Sequence, residues 1–254
     1  MGRNGRAVLV TGTSRLRGLG AEIARRLAED GWDVGLTWWL PGDAGTPWVG
    51  EADEPRRLIE ALRQAGANVA WHEADLADPE SPARIFDALE DALGTISAMV
   101  CSHAYGREGG VLDTTAEEFD LHVAVNARAN LLLIRELARR LPAGIPGRVV
   151  SLTSDAVHGE VAYGASKAAL DRVTIAAAAE LGRHGITVNA VNPGPIDTGW
   201  MTDAARRSIR LWSPLGRLGT PADTAALVAF LCSDDGGWIN GQVVYSNGGF
   251  SFQA

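Results

Sequence analysis

The N-terminal part of the chain reads RAVLVTGTSRLRGLGAEIARRLA (residues 6–28). Its beginning, residues 6–11, is a short apolar run of strand-forming residues and predicts a buried strand. A glycine-rich segment (12–20) follows, after which Ile23 and Leu27 recur among alanines at helical spacing. Strand, glycine loop and helix in this order favour a dinucleotide site, because glycines let the backbone approach a pyrophosphate and a helix N-terminus attracts that anion.

The alternation of strand and helix patterns continues to the end of the chain. Apolar runs predict strands near residues 6–11, 33–37, 68–72, 97–101, 147–152, 186–192 and 241–245. Helical patterns lie between most of them, at 18–30, 55–65, 82–93, 115–141, 161–183 and 221–232. Such alternation is typical of a mostly parallel sheet with helices on both faces. We therefore predict a single doubly wound, Rossmann-type α/β domain with a seven-stranded sheet, spanning residues 1–254.

Tyr163 and Lys167 are four residues apart in the stretch AYGASKAAL (residues 162–170). On a helix the two side chains share a face, one turn apart. An ammonium favours the phenolate, so we expect Lys167 to lower the pKa of Tyr163 and to make it a general acid or base near neutral pH. By itself the pair also fits two polar residues on a solvated helix face, and the rest of the chain decides between these interpretations.

A series of motifs resembles the short-chain dehydrogenase/reductase family, in the family's order and over nearly the whole chain. The matching segments are Thr11–Gly20, Asp75–Leu76, Asn126 in VAVNARA, Ser154 in VVSLTS, Tyr163 with Lys167, and residues 192–198. The resemblance implies an oxidoreductase that transfers a hydride between a nicotinamide cofactor and a carbonyl or secondary alcohol, in the manner of a 3-oxoacyl (ketone) reductase. The substrate stays open among thioesters, sugars, steroids and polyketide ketones.

The resemblance also implies roles for individual residues. Tyr163 is the proton donor, Ser154 hydrogen-bonds the carbonyl oxygen, and Asn126 supports a water relay to Lys167, which also binds the nicotinamide ribose. Ile196 and Thr198 contact the carboxamide. The predicted cofactor-binding residues are Gly12, Ser14, Arg15, Arg17, Gly18, Leu19, Gly20, Thr37, Trp38, Asp75, Leu76, Ser102, Tyr163, Lys167, Pro193, Gly194, Ile196 and Thr198.

The chain departs from the family pattern at three places. Five residues separate Gly12 from Gly18, where the family usually has three. The segment CSHA (101–104) stands where the family has Asn-Asn-Ala-Gly, and Ser154 is closer to Tyr163 than in many relatives. Histidines 103 and 158 lie near these segments; we expect them to pack or to meet solvent, the alternative being that they face the active site.

The end of the second predicted strand bears on the choice of cofactor. A site for NAD usually carries an acidic residue there, which hydrogen-bonds the ribose 2′-OH. Here the strand ends in residues 37–39 (TWW), while Asp33 is at its start and Asp43 lies further on. Either Arg15 or Arg17 is placed to pair with a 2′-phosphate, unless both point to solvent. The sequence therefore favours NADP(H), with NAD(H) as the alternative.

Two long segments are predicted to be irregular. Leu40–Glu54 is rich in proline and glycine and follows the strand that would lie near the adenosine ribose. Gly199–Gly219 contains Trp200, Met201 and Trp212 and resembles the family's substrate lid. Long loops in compact domains are often functional, and a packed surface excursion is the alternative for this second segment.

Composition excludes several classes of function. A net charge of −8 argues against a nucleic acid or an anionic membrane as partner. No apolar run is long enough to span a bilayer, and a strand beginning near residue 6 leaves no room for a secretory signal, so we expect a cytoplasmic protein. Cys101 and Cys232 are expected to be buried, reduced thiols, and no metal-ligand spacing is present.

The predicted helix 161–183 is rich in alanine, which permits close approach of a second helix. Together with the family resemblance, this predicts a closed homo-oligomer, most simply a tetramer. Fold alone does not decide function. A non-catalytic dinucleotide sensor or structural subunit therefore stays open, as does a lyase or dehalogenase on the same scaffold, although the retained Ser154, Tyr163 and Lys167 favour an enzyme.

Overall fold

The computed structural model describes residues 6–43, 50–156, 159–199 and 201–250. Its parallel sheet is made of β1 Ala7–Thr11, β2 Asp33–Thr37, β3 Val69–Trp71, β4 Ile96–Cys101, β5 Gly147–Leu152, β6 Ile186–Asn192 and β7 Val243–Tyr245. The strand order is β3-β2-β1-β4-β5-β6-β7, and every neighbouring pair is parallel. The predicted Rossmann-type α/β fold is confirmed.

The helices agree with the sequence pattern except in three regions. They are α1 Leu19–Glu29, α2 Leu40–Asp43, α3 Glu54–Gln64, α4 Ser81–Leu93, α5 Ala116–Val123, α6 Ala129–Arg140, α7 Val161–Leu181, α8 Asp203–Trp212 and α9 Pro221–Cys232. The stretch predicted as one helix over 115–141 is interrupted by a π-helical turn, Ala124–Arg128. A wider turn of this kind is frequent at functional sites.

The two segments predicted to be irregular contain helices. Helix α2 occupies the start of the first segment, whose residues 44–49 lie outside the described part of the chain. In the second segment, α8 begins after Thr202, whose hydroxyl accepts a hydrogen bond from the Ala205 N–H at 3.1 Å. This cap satisfies a free donor of the first turn and favours the helix. Although α8 is amphipathic, it buries no residue fully and so has no place in the apolar core.

The sheet is covered on both faces, as its pattern predicts. One apolar cluster packs α1, α3 and α9 against the sheet, and Val8 and Val10 belong to it. The other packs α4, α6 and α7 against the opposite face, and Leu9 belongs to it. Successive side chains of a strand point to opposite faces, so a continuous apolar strand such as β1 is what a sheet between two helical layers requires.

The carboxyl ends of β1 and β4 form the crevice of the fold. Strand β1 lies between β2 and β4, and the chain leaves it and β4 toward opposite layers, which opens a ligand-binding crevice between the two ends. Gly12 follows β1 with a φ of +73°, and a Cβ built there would be 2.6 Å from the backbone nitrogen of His103. Only glycine fits this contact, and the close approach of the two strand ends depends on it.

Both cysteines are buried free thiols, as predicted. Burial raises the pKa of Cys101 and of Cys232 to about 12, so neither is a thiolate at neutral pH. Within the described ranges, no helix combines the length and the apolar character that crossing a bilayer would need. Among the same residues, no group of three or more His, Cys, Asp or Glu side chains is arranged to hold a metal ion.

Candidate active site

A cavity of about 790 Å³ lies at the carboxyl ends of β1, β4, β5 and β6. It brings together most of the residues predicted from the sequence. The predicted residues that line it are Gly12, Ser14, Arg15, Gly18, Leu19, Thr37, Trp38, Asp75, Leu76, Ser102, Ser154, Tyr163, Pro193, Gly194, Ile196 and Thr198. The predicted residues outside this lining are Arg17, Gly20, Asn126 and Lys167. We call this space the active-site cavity.

The glycine loop presents the N-terminus of α1 to the active-site cavity. Gly18 is the N-cap residue and is extended, with no side chain to cap the first N–H groups of the helix. Such uncapped donors attract an anionic group. Gly20 does not line the cavity; a Cβ built there would be 2.5 Å from the Gly12 carbonyl oxygen. Its role is to let α1 pack closely on the end of β1.

In the glycine loop, the backbone of Leu16 is held by two side chains. The Leu16 N–H donates to Glu54 Oε2 at 2.5 Å, and the Leu16 carbonyl accepts from Arg25 Nη1 at 3.1 Å. These bonds give the two arginines different positions. Arg15 lines the cavity and its Nη1 donates to the Thr198 carbonyl at 3.5 Å. Arg17 is exposed, and its Cζ lies 3.0 Å from a Cβ built on Gly199.

Arg17 therefore does not lie where the sequence analysis placed it. Its guanidinium is next to the loop that follows β6, and its charge is one of the causes that hold the pKa of Asp197 below its usual range, after the Arg206 hydrogen bond. The lengthened loop turns this side chain away from the cavity wall. Of the two arginines considered for a 2′-phosphate, only Arg15 lines the cavity.

Tyr163, on α7, and Ser154, after β5, both line the end of the cavity that we predict to be catalytic. Burial raises the pKa of Tyr163 above its ordinary value, the nearby Glu160 raises it further, and a hydrogen bond with the Ser154 side chain opposes both. The expected lowering of the Tyr163 pKa by Lys167 is thus wrong for this structure. The Lys167 Nζ lies 5.6 Å from the centre of the tyrosine ring, and desolvation of the phenolate outweighs its charge.

Lys167 is the only lysine in the chain. Its side chain is 2% exposed, and its Nζ donates to the Leu152 carbonyl at 2.8 Å. Burial lowers the pKa of Lys167 to about 8, while Cys101 and Asp171 act in the opposite direction. The ammonium is therefore present at neutral pH and is lost only slightly above it.

Asn126 lies in the π-helical turn and is fully buried. Its Oδ1 accepts from the Tyr105 N–H at 2.8 Å, and its Nδ2 donates to the Tyr105 carbonyl at 2.8 Å and to Ser166 Oγ at 2.9 Å. These bonds hold the loop after β4 against α7. The relay role that the family resemblance implies for Asn126 stays a prediction.

His103 is a functional neighbour that sequence reasoning assigned to general packing. It lines the active-site cavity and is 7% exposed. Its Nδ1 lies 2.6 Å from Thr11 Oγ1, and its Nε2 lies 3.1 Å from the Val125 carbonyl. Thr11 Oγ1 also accepts from the N–H groups of Ser102 and His103, and Asn130 Nδ2 lies 3.3 Å from His103 Nε2.

This arrangement makes His103 a neutral tie between β1, β4 and the π-helical turn. Burial, and then the charge of Lys167, lower its pKa to about 3. The sequence signal for His103 was the segment CSHA, which stands where the family has Asn-Asn-Ala-Gly. Like an asparagine, the histidine after β4 can both accept and donate a hydrogen bond.

The segment predicted to be a lid borders the active-site cavity. Its two ends meet in a bridge between Ile196 and Gly219, close to the predicted bounds 199–219. Met201 and Ile209 line the cavity, whereas Trp212 is 69% exposed. Arg206 Nε donates to Asp197 Oδ2 at 2.9 Å and fixes α8 to the base of the lid. Trp200 and His158 lie outside the described residues.

Comparison with known proteins gives consistent matches. A family model described as enoyl-(acyl carrier protein) reductase matches residues 12–251. The uncharacterized oxidoreductase YjdA of Bacillus subtilis (strain 168) is 38% identical over 248 residues, covering 95% of this chain and 95% of the relative.

Two solved structures are similar to this chain in fold as well as in sequence. A short-chain dehydrogenase from Burkholderia cenocepacia J2315 in complex with NADP is 34% identical with a TM-score of 0.85, and the match covers 96% of this chain and 97% of that one. The angucycline C-6 ketoreductase LanV with bound NADP is 29% identical with a TM-score of 0.85, covering 96% and 95%. Sequence and fold agree over almost the whole length. The chain belongs to the short-chain dehydrogenase/reductase family of NAD(P)-dependent oxidoreductases.

Proposed function

We propose that the protein is an NADP(H)-dependent ketone reductase, similar in its reaction to 3-oxoacyl reductases. One observation carries the proposal: Ser154 and Tyr163 line the same cavity as the glycine loop, with Lys167 buried 5.6 Å from the tyrosine ring. A protein that only binds a dinucleotide needs no such set, which argues against the sensor or structural subunit. The similarity to LanV, a ketoreductase solved with bound NADP, adds support.

The side chains divide the chemistry of reduction between them. The bound nicotinamide supplies the hydride. Tyr163 donates its proton to the substrate oxygen as negative charge develops there. Ser154 donates a hydrogen bond to the same oxygen and stabilises that charge. The Lys167 ammonium then stabilises the phenolate left on Tyr163. Because burial and Glu160 raise the pKa of Tyr163, the phenolate depends on Ser154 and Lys167 for its stability during turnover.

The cavity fits a phosphorylated dinucleotide. The tight Gly12 approach and the uncapped N-terminus of α1 suit a pyrophosphate, and Thr37 and Trp38 line the adenosine end. No carboxylate follows β2 in residues 37–39, and Arg15 lines the cavity as a partner for a 2′-phosphate. The NADP bound to both solved neighbours supports the same choice.

We also propose a closed homo-oligomer, with a tetramer as the simplest form, in the cytoplasm. Leu131 and Ile175 on α6 and α7 are 47% and 40% exposed. Apolar side chains on neighbouring helices support an interface between copies. Light scattering at micromolar concentration tests the assembly, and a stable monomer would contradict it.

A substrate screen tests the proposed reaction. Purified protein is mixed with NADPH or NADH and a panel of 3-oxoacyl thioesters, cyclic ketones, sugars and aldehydes, and loss of reduced cofactor is followed by absorbance. We expect NADPH oxidation with at least one ketone and a higher catalytic efficiency with NADPH than with NADH. Tight binding of NADPH without turnover of any carbonyl would favour the non-catalytic alternative.

A further inference from the structure

A second, smaller cavity adjoins the catalytic residues. It has a volume of about 360 Å³ and lies between the start of α7 and the ends of β5 and β6. Thr153, Ser154 and Asn192 line both this space and the active-site cavity. Asp155 and Asp171 line only the smaller one. We call it the side chamber.

Three polar atoms in the wall of the side chamber are buried and lack a hydrogen-bond partner among the described residues. They are Asp155 Oδ1, Asp171 Oδ1 and Asn192 Nδ2. Asn192 is only 2% exposed. Buried polar atoms nearly always have a partner, and orphaned groups gathered around one space suit ordered water that satisfies them.

Asp171 continues the catalytic face of α7. Tyr163, Lys167 and Asp171 follow each other at intervals of four residues and so lie on one side of the helix. Burial raises the pKa of Asp171 and so does Asp155, whereas Thr153, Lys167 and Arg172 lower it. Burial also lowers the pKa of Lys167 to about 8. The two groups are thereby brought closer in proton affinity than a free lysine and aspartate.

Asn126, the residue that the family resemblance links to proton supply, also makes structural hydrogen bonds. Both hydrogens of its amide are used on Tyr105 and Ser166. Its main-chain carbonyl accepts from Asn130 Nδ2 at 2.8 Å. Asp171 lies one helical turn from Lys167 and lines the side chamber.

We propose that Asp171 acts through Lys167 as a relay residue that returns protons to the active site from the side chamber. The inference rests on the proposed reductase function. In each reduction Tyr163 gives one proton to the product oxygen and becomes a phenolate. Lys167 passes one proton to that phenolate and becomes a neutral amine. Asp171 in its acid form reprotonates the amine, and the resulting carboxylate takes one proton from solvent in the side chamber, next to Asp155.

The test compares Asp171→Asn with Glu180→Gln, which removes a carboxylate from an exposed position on the same helix. The rate of reduction, kcat, is measured from pH 6 to 10 at low and high concentrations of imidazole buffer. For Asp171→Asn we expect kcat to fall by about tenfold near pH 8, well below the loss expected for the proton donor itself. KM should stay unchanged, and imidazole should restore most of the rate. Glu180→Gln should match the wild type throughout.

A direct measurement does not depend on turnover. Since Lys167 is the only lysine, protein labelled with isotopic lysine gives one side-chain amine signal in NMR, whose titration reports the pKa of Lys167. We expect that pKa to fall by about one pH unit in Asp171→Asn and to stay unchanged in Glu180→Gln. If the wild type reduces no carbonyl, the proposed function fails, while this titration still decides whether Asp171 and Lys167 are coupled.

Two results would overturn the relay. One is an unchanged Lys167 titration in Asp171→Asn. The other is a loss of kcat that imidazole does not restore, because it would indicate a merely structural role. If Asp171→Asn does not fold, Ala168→Leu replaces it: Ala168 is exposed and lines the side chamber, so leucine narrows that space and leaves every carboxylate in place. We expect a loss of kcat, and an unchanged rate would reject the route.

Discussion

The two ends of the active-site cavity are built in different ways. At the catalytic end, Tyr163 and Lys167 lie on one helix, α7, and their spacing brings them together. At the adenosine end, Arg15 and Arg17 lie in a loop with two more residues than the family pattern, and only Arg15 lines the cavity. Helical spacing fixes the direction of a side chain, whereas an inserted residue redirects those around it. A motif on a helix is therefore the safer guide to a site.

The largest effect should come from the catalytic end. Tyr163→Phe keeps the ring and removes only the hydroxyl. We expect kcat to fall by at least about 10²-fold, the lower range for loss of a general acid, while the affinity for NADPH, measured by fluorescence titration, changes little. Turnover close to that of the wild type would show that another group supplies the proton. The helical motif would then not be the safer guide to the site.

The adenosine end is tested by the two arginines of the loop. Arg15→Ala should lower the ratio of catalytic efficiency with NADPH to that with NADH by roughly 10- to 100-fold, the size expected for a lost hydrogen bond between charged groups. Arg17→Ala is the matched control and should leave this ratio unchanged, because its guanidinium lies against Gly199. A reduced ratio in Arg17→Ala instead would mean that the loop rearranges around the cofactor.

The catalytic end should also show a pH limit. Burial lowers the pKa of Lys167 to about 8, so its positive charge is present below that pH and is lost above it. Since the charge stabilises the Tyr163 phenolate, kcat for reduction should fall as pH rises, by up to tenfold per pH unit above the pKa. A pH–rate profile between 6 and 10 checks this. A flat profile to pH 10 would mean that Lys167 keeps its charge.

The smallest expected effect is on how the folding stability depends on pH, and it comes from His103, which lies after β4 next to the glycine loop. The pKa of His103 falls to about 3 in the folded chain from an ordinary value of 6.5. As pH drops below 6.5, the unfolded chain takes up a proton that the folded chain does not, so His103 makes folding less favourable by up to about 1.4 kcal/mol per pH unit. Urea unfolding at pH 7, 6 and 5 should show a shallower loss in His103→Asn.

His184→Asn provides the control for that measurement. His184 is exposed in the turn after α7, and its replacement should leave the pH dependence as in the wild type. The slope with pH is compared rather than the stability itself, because the shorter side chain in His103→Asn would also lose part of the contact with Thr11 and Val125. Equal slopes in the two variants would mean that His103 is protonated in the folded protein.

Much of the fold follows from the sequence because its strands are buried on both faces. The predicted strands lie within two residues of those observed, since continuous apolar runs bounded by turns leave few alternatives. The helix α8 was missed because it rests on a cavity and on solvent, not on a core. The π-helical turn could not be predicted, because a helix with one additional residue in a turn uses the same types of side chain as an α-helix.

The candidate site also has parts that the sequence predicts and parts that depend on packing. Spacing on α7 and strand order placed Ser154, Tyr163 and Lys167 together. The sign of the Tyr163 pKa shift was wrong because burial depends on packing from several elements, which spacing alone does not contain. The direction of Arg17 does not follow from spacing, because the neighbouring Leu16 backbone is held by Arg25 on α1 and by Glu54, 38 residues away in sequence.

The single lysine has a practical consequence for labelling chemistry. Reagents that acylate primary amines meet only the terminal amino group and a Lys167 side chain that is 2% exposed. Attachment of the protein to an amine-reactive support should therefore proceed through its terminus and leave one uniform orientation. The rate of Lys167 acylation, measured by mass spectrometry, would then report how readily the active site opens to solvent. A bound dinucleotide should lower that rate.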